Sequence, residues 1–261
     1  MKPRLVATDL DGTLLRSDKS ISPRTLTALR AAEDAGILVV FVTGRPLRWA
    51  RDVFEHVGSH GRAIVANGAI VWDVGHDRPD MLRPIDAATG LSVCRRLREV
   101  VPGTAYAVET LAGIGLEPGF VERYAVPAGA ARGPLEEIWT GSVVKLLARH
   151  EELAPQEFWD LAEECVGDRV QITWSSTTTL LEISAAGVTK ASTLELLCAD
   201  QGIGADEVVA FGDMPNDLPM LAWAGRSYAM ANAHPTVQAA AGAVTESNDD
   251  DGVAAVLEAL L

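Results

Sequence analysis

The chain has 261 residues, 48% of them hydrophobic, and carries a net charge of −14. That length allows one large domain or two moderate ones around a sizeable core. The acidic balance argues against nucleic acid, whose phosphates need a basic face, and no run of about 18 uncharged apolar residues offers a membrane span.

Three scattered cysteines, Cys94, Cys165 and Cys198, form neither a disulfide framework nor a zinc set and are expected as buried free thiols. Met1-Lys2-Pro3-Arg4 runs straight into a strand-like segment with no secretory leader, so a soluble, cytoplasmic protein is expected. An acidic protein repels anions at long range, so a site for phosphate esters would have to supply its own positive charge.

In chain order, Leu5-Val6-Ala7-Thr8-Asp9 reads as a buried parallel strand ending in an acid. Ser22 is a good N-cap and Pro23 suits the first helical position, so a helix should run to about Ala35 and stop at Gly36. Residues 37–42 read as a second strand, 46–56 as a helix and 63–66 as a third strand. Strands alternating with helices predict an α/β fold, a Rossmann-like parallel sheet with right-handed crossovers. After Asn67-Gly68 the rhythm breaks. Residues 69–73 and 80–83 suggest a hairpin leaving the sheet, and 84–184 read as an inserted α+β domain. Within it, helices are expected at 87–100 and 155–165 and a strand at 142–148, while the glycine-, proline- and alanine-rich stretch 113–134 carries no assignment. From Thr189 the alternation resumes: helix to about Asp200, strand 208–211, helix 215–222, strand 227–230. The expected core is therefore 1–83 with 185–261.

Four segments carry chemistry, each at a strand end or a helix start, where parallel sheets bind ligands. Asp9-Leu10-Asp11-Gly12-Thr13 places two carboxylates one residue apart after a strand, a pairing that can divide nucleophile from acid/base. An acidic turn would look the same; a calcium loop would not, because Leu14 and Ser20 stand where its glycine and glutamate belong. Thr43-Gly44-Arg45 offers a hydroxyl and backbone N–H groups at a helix start. Lys190 opens a helix and could offset the aspartates. Gly212-Asp213-Met214-Pro215-Asn216-Asp217 adds two acids suited to a hard cation. Taken singly, Thr43-Gly44-Arg45 is better explained as an ordinary strand-to-helix turn, and each half of the 212–217 segment is common at a capped helix start.

Together the four segments, in this order, resemble the haloacid dehalogenase superfamily of phosphatases. The insertion between the second and third is similar to the Cof-like branch, which carries an α/β cap there. Asn67-Gly68-Ala69, Ala231-Asn232-Ala233-His234-Pro235 and the segment from Asn248 to Val253 are similar to that branch too. The resemblance implies a magnesium-dependent phosphomonoester hydrolase for a small phosphorylated metabolite, a sugar phosphate or phosphorylated cofactor, working through an aspartyl phosphate. It implies Asp9 as nucleophile and Asp11 as acid/base, with Asp9, Asp11 (by its backbone carbonyl), Asp213 and Asp217 about the metal. Thr43, Gly44, Arg45, Lys190 and Asn216 would serve phosphate or substrate, Asn216 with Asp217 ordering the metal's outer shell and Arg45 alternatively bracing the cap. A sugar phosphomutase shares these motifs, whereas a silent binding protein on this scaffold would usually lack one of the acids.

Alanine at 231 departs from the glycine frequent there. His56, His60, His76 and His150 show no ligand spacing and read as surface or loop residues, and His234 as a helix-entry residue. Trp139 and Trp174 are expected to pack in the cap's core rather than face substrate. Sequence leaves the oligomeric state open.

Overall fold

The computed structural model describes residues 2–56, 61–173 and 178–261; His60, Trp174 and the side chain of His56 lie outside the described residues. The chain opens with β1 (Leu5–Thr8), α1 (Pro23–Asp34), β2 (Leu38–Val42) and α2 (Leu47–Ala50), followed by β3 (Arg62–Val65), β4 (Ile70–Asp73) and β5 (Arg78–Leu82). A middle stretch follows: α3 (Ala87–Val100), β6 (Ala105–Thr110), β7 (Gly113–Leu116), β8 (Ala131–Arg132), α4 (Leu135–Ile138), β9 (Lys145–Arg149), α5 (Pro155–Val166), β10 (Val170–Thr173) and β11 (Leu180–Ala185). The last stretch holds α6 (Lys190–Asp200), β12 (Val208–Gly212), α7 (Leu218–Trp223), β13 (Arg226–Ala229), α8 (Pro235–Ala240), β14 (Ala243–Val244) and α9 (Gly252–Leu260). Contacts divide the chain into two units: 1–45 with 49–81 and 189–261, and 46–48 with 82–188.

The first unit is built on a sheet ordered β14-β13-β12-β1-β2-β3-β4-β5. β1 lies parallel between β12 and β2, with Thr8 opposite both Phe211 and Phe41. Every residue of β1 and β12 is buried, which is why both read as unbroken apolar runs rather than alternating ones. α1 begins as its sequence indicates, with the Ser22 hydroxyl accepting the Thr25 N–H at 3.0 Å and Gly36 at φ +78° beyond its end.

Two expectations need correction. The pair 69–73 and 80–83 does not leave the sheet: β4 returns antiparallel to β3, Val65 opposite Ile70, and β5 forms the sheet edge. Ala66, Asn67 and Gly68 all take positive φ, and this tight reversal leaves β4 no route except back along β3. The helix expected over 46–56 is α-helical only at α2, then tightens into a 3₁₀ turn over Arg51–His56. Leu47, Ala50 and Val53 are buried across both parts, and their three-residue spacing is compatible with an α-helix or a 3₁₀ helix.

The second unit has its own sheet, ordered β10-β11-β9-β6-β7-β8. Alternation along its strands separates two faces. Tyr106, Val108, Leu146, Ala148 and Ile183 pack on Val93, Leu97, Phe158 and Ala162 of α3 and α5. Trp139 belongs to this core. The opposite face carries Glu109 directly across from Lys145, and the Lys145 ammonium reaches Glu182 at 2.9 Å. In the stretch 113–134, β7 pairs antiparallel with β6 and parallel with the short β8. Among the described residues no helix is long and apolar enough to cross a membrane.

Candidate active site

The parallel register brings three loops to one edge of the first unit's sheet. Asp9 follows the last residue of β1 and donates its N–H to Phe211 O of β12 at 3.1 Å. Thr43 follows β2 on the other side, its N–H bonded to Ile64 O at 2.8 Å. Asp213 follows β12. The sequence motifs thus converge because neighbouring strands end at the same level.

Lys190 is the first residue of α6, and its placement follows from the cap before it. The Thr189 hydroxyl accepts the Ser192 N–H at 3.0 Å, and the Ser192 hydroxyl accepts the Thr189 N–H at 3.0 Å. The Lys190 ammonium, 1% exposed, then lies 2.6 Å from Asp9 Oδ1 and 2.6 Å from Asp217 Oδ1. Asp217 accepts the N–H groups of Asp213 and Met214 at its other oxygen, both at 3.0 Å. With both oxygens engaged and no exposure, Asp217 is a braced counter-charge. Asp213 accepts the Thr13 hydroxyl at 2.9 Å on Oδ1, and a side chain at Gly12, where φ is +78°, would collide with its Oδ2. Ligand atoms of Asp9, Asp213 and Asp217 all lie within 4.8 Å of one another.

The structure groups the other expected residues differently. The side chain of Asp11 stands outside this cluster and meets Arg45, whose Nε and Nη2 grip its two oxygens at 2.6 and 2.7 Å, while Lys19 reaches Oδ1 at 2.9 Å. In this structure the Arg45 guanidinium is thus engaged by Asp11, with Nη1 also 3.4 Å from Trp49 O. Thr43 is 2% exposed and its hydroxyl accepts the Arg45 N–H at 3.1 Å. Asn216 donates to Asn67 Oδ1 at 3.2 Å, and its own Oδ1 is buried without a hydrogen-bond partner. Gly44 lies against Asn67 Oδ1, where a Cβ would sit only 2.8 Å away. Lys19, Thr13 and Asn67 were not singled out as site residues from sequence. Thr13 closes the first motif, and Asn67, at φ 56° and 1% exposed, carries a signal too, since asparagine before glycine tolerates left-handed backbone.

The sequence profile of the haloacid dehalogenase-like hydrolases matches residues 6–110 and 122–257. The chain belongs to that family. It is a phosphatase of the Cof-like branch. Among its relatives, the 5-amino-6-(5-phospho-D-ribitylamino)uracil phosphatase YcsE of Bacillus subtilis is 28% identical, the match covering 96% of this chain and 93% of that one. Phosphatase YwpJ of the same organism is 30% identical, covering 99% and 100%. The solved structure of SMU.1108c from Streptococcus mutans superposes with a TM-score of 0.84 at 26% identity, covering 98% of each chain.

Three histidines of the phosphatase have structural partners. His234 caps α8, accepting the Thr236 N–H at 3.3 Å, and His76 meets Asp73 at 2.9 Å. His150 lies in the loop after β9, as one of the two expected settings has it, and is buried there, accepting the N–H groups of Glu152 and Leu153. Ala231 has no left-handed φ, so its backbone places no demand for glycine.

Burial pushes Asp9 well above the ordinary carboxylate range, against the attraction of Lys190 and with repulsion from Asp217 and Asp213 added. Burial, with Asp217 nearby, likewise pushes Asp213 up to about 6. Burial alone would lower Lys190, but Asp217 and Asp9 outweigh it and keep its pKa above the ordinary value. Burial also disfavours ionised Asp11, yet Arg45 and Lys19 prevail and hold its carboxyl below the usual range. Three acids thus share one buried lysine, an excess of negative charge that suits a hard divalent cation bound by oxygen. The donor set fits such an ion.

A proton and a bound cation would compete for Asp213. A carboxyl raised from 3.8 to about 6 in the fold is protonated below about 6, and its contribution to metal-free stability falls as pH rises between those values. A divalent cation should therefore raise the thermal midpoint clearly at about pH 7.5, with the increment fading as pH falls through about 6. Asp213→Asn should abolish most of it. Calorimetry with and without the ion checks this, and an increment independent of pH would contradict it.

Proposed function

We propose that this phosphatase hydrolyses phosphate monoesters of small metabolites through a phosphoryl group carried on Asp9, with magnesium as its ion. The observation that carries the reading is the buried contact of Asp9 with Lys190, beside Asp213 and Asp217 and at the level of Thr43. Asp9 attacks phosphorus, the ester P–O bond breaks, and the leaving oxygen takes a proton from Asp11, which must first bind one against the pull of Arg45 and Lys19. Water then attacks the aspartyl phosphate, giving its proton to Asp11, and inorganic phosphate departs from a regenerated Asp9. Lys190, the Thr43 hydroxyl and the Gly44 N–H are the groups assigned to the phosphoryl oxygens. Such a transfer needs positioned charge more than covalent strain. When bound among Asp9, Asp213 and the Asp11 carbonyl, with Asp217 and Asn216 around them, magnesium supplies neutralisation of the transferred group's charge.

Asp9→Asn keeps the shape of the side chain and removes the nucleophile. Turnover of p-nitrophenyl phosphate with magnesium should fall at least about 10³-fold, as expected when a group essential to the covalent step is lost, while the circular dichroism spectrum is unchanged. Near-normal release of inorganic phosphate by that variant would sink the covalent route.

For substrate we assign an anion-headed metabolite with polar groups beyond the phosphate, in line with the phosphoribityl compound in the name of YcsE. Selection among such metabolites is assigned to the second unit, whose sheet turns Glu109, Lys145 and Glu182 to the face opposite its helices. Lys145→Met should reorder the kcat/KM ranking of a phosphorylated-metabolite panel more than it changes turnover of p-nitrophenyl phosphate. An unaltered ranking would remove that face from selection.

A further inference from the structure

We propose that Lys19 is a positioning residue that fixes which oxygen of Asp11 handles the proton. The inference rests on the acid/base role given to Asp11 above.

After Asp11 the chain doubles back on itself. Leu15 bridges to Asp11 and donates its N–H to Leu10 O at 2.8 Å. Arg16 N–H meets Ser20 O, and Lys19 N–H meets Arg16 O, both at 2.9 Å. Asp18 locks the tip by accepting both the N–H and the hydroxyl of Ser20, at 2.9 and 2.6 Å. Lys19 takes φ +70°, a conformation uncommon for a residue with a Cβ. That turn carries its stem back towards Asp11 instead of out along the loop.

The three cationic contacts on Asp11 are unequal. Oδ1 accepts from both Lys19 and Arg45 Nη2, whereas Oδ2 accepts only from Arg45 Nε. A carboxylate offers about two acceptor positions on each oxygen. Oδ1 is therefore filled, and Oδ2 keeps one position. An arginine fork alone binds the two oxygens alike, so it fixes the carboxylate plane without distinguishing them. Lys19 breaks that symmetry. The leaving oxygen would take its proton from Oδ2, and attacking water would return one to the same oxygen.

Lys19 and Asp11 have side-chain exposures of 62% and 40%, and exposed ion pairs add little to stability. The contact is thus poorly suited to holding the fold and well suited to orientation, and replacing Lys19 leaves the loop's backbone bonds in place.

The test uses Lys19→Met and Lys19→Arg in the full chain with magnesium, assayed on p-nitrophenyl phosphate and on phenyl phosphate, whose leaving group depends more on protonation. Lys19→Met should lower kcat on phenyl phosphate about tenfold and on p-nitrophenyl phosphate less than about twofold, a share of what general acid catalysis contributes. Lys19→Arg should restore the wild-type ratio. In an Asp11→Asn background, Lys19→Met should have no further effect on either ester, because it acts through Asp11. Equal losses on both esters, or a further loss in the Asp11→Asn background, would overturn the proposal. Should Asp11→Asn change the ester ratio and Lys19→Met not, Lys19 alone loses its role. A ratio that Asp11→Asn leaves unchanged would instead overturn the role of Asp11.

Discussion

Lys190 is held away from water between two carboxylates, Asp9 and Asp217, at 2.6 Å from each. A buried ammonium is costly unless paired and hydrogen-bonded, and a buried acid without its partner is equally so. None of the three can be removed without stranding the others. Their positions come from separate parts of the chain: β1, the start of α6, and the turn after β12. The site is therefore a condition on how these elements meet, and the elements carry local features that meet it. Thr189 caps α6 so that its first residue faces Asp9, and the Asp213 and Met214 N–H groups hold the far oxygen of Asp217.

Charge arithmetic then explains the chemistry proposed for the site. With Asp213 added, three acids face one lysine, so the cluster is deficient in positive charge. The chain as a whole, at −14, makes no amends. A divalent cation would balance the cluster, and the same ion with Lys190 would give an anionic ester a reason to enter an acidic protein. Asp11 stands apart from this core. It is tied instead to Arg45 and Lys19, which separates the residue assigned to proton transfer from those assigned to charge balance.

Much of this was legible in the sequence because it depends on local rules. The apolar run before Asp9, the Ser22-Pro23 start and the alternation that gave a parallel sheet are short-range signals, and the structure follows them. The turn at 66–68 and the tightening after Ala50 were misread for related reasons. A reversal built from Ala66 and Asn67 at positive φ has no strong composition cue beyond Asn67-Gly68, and three-residue spacing of Leu47, Ala50 and Val53 fits either helix type. Contacts between distant loops leave no trace at all. Nothing near Lys19 announces that it returns to Asp11, and the motif spacing of Asp213 and Asp217 does not reveal that the second is fully enclosed while the first keeps an oxygen near Gly12.

The central claim is that Asp9 carries the phosphoryl group, and trapping it there is the direct measurement. Enzyme mixed with p-nitrophenyl phosphate and magnesium, quenched in acid within the first turnovers and digested, should yield a phosphorylated peptide containing Asp9. Its appearance should be at least as fast as the release of inorganic phosphate. Phosphate release with no label on Asp9 at any time, or label on a different residue, would contradict the account.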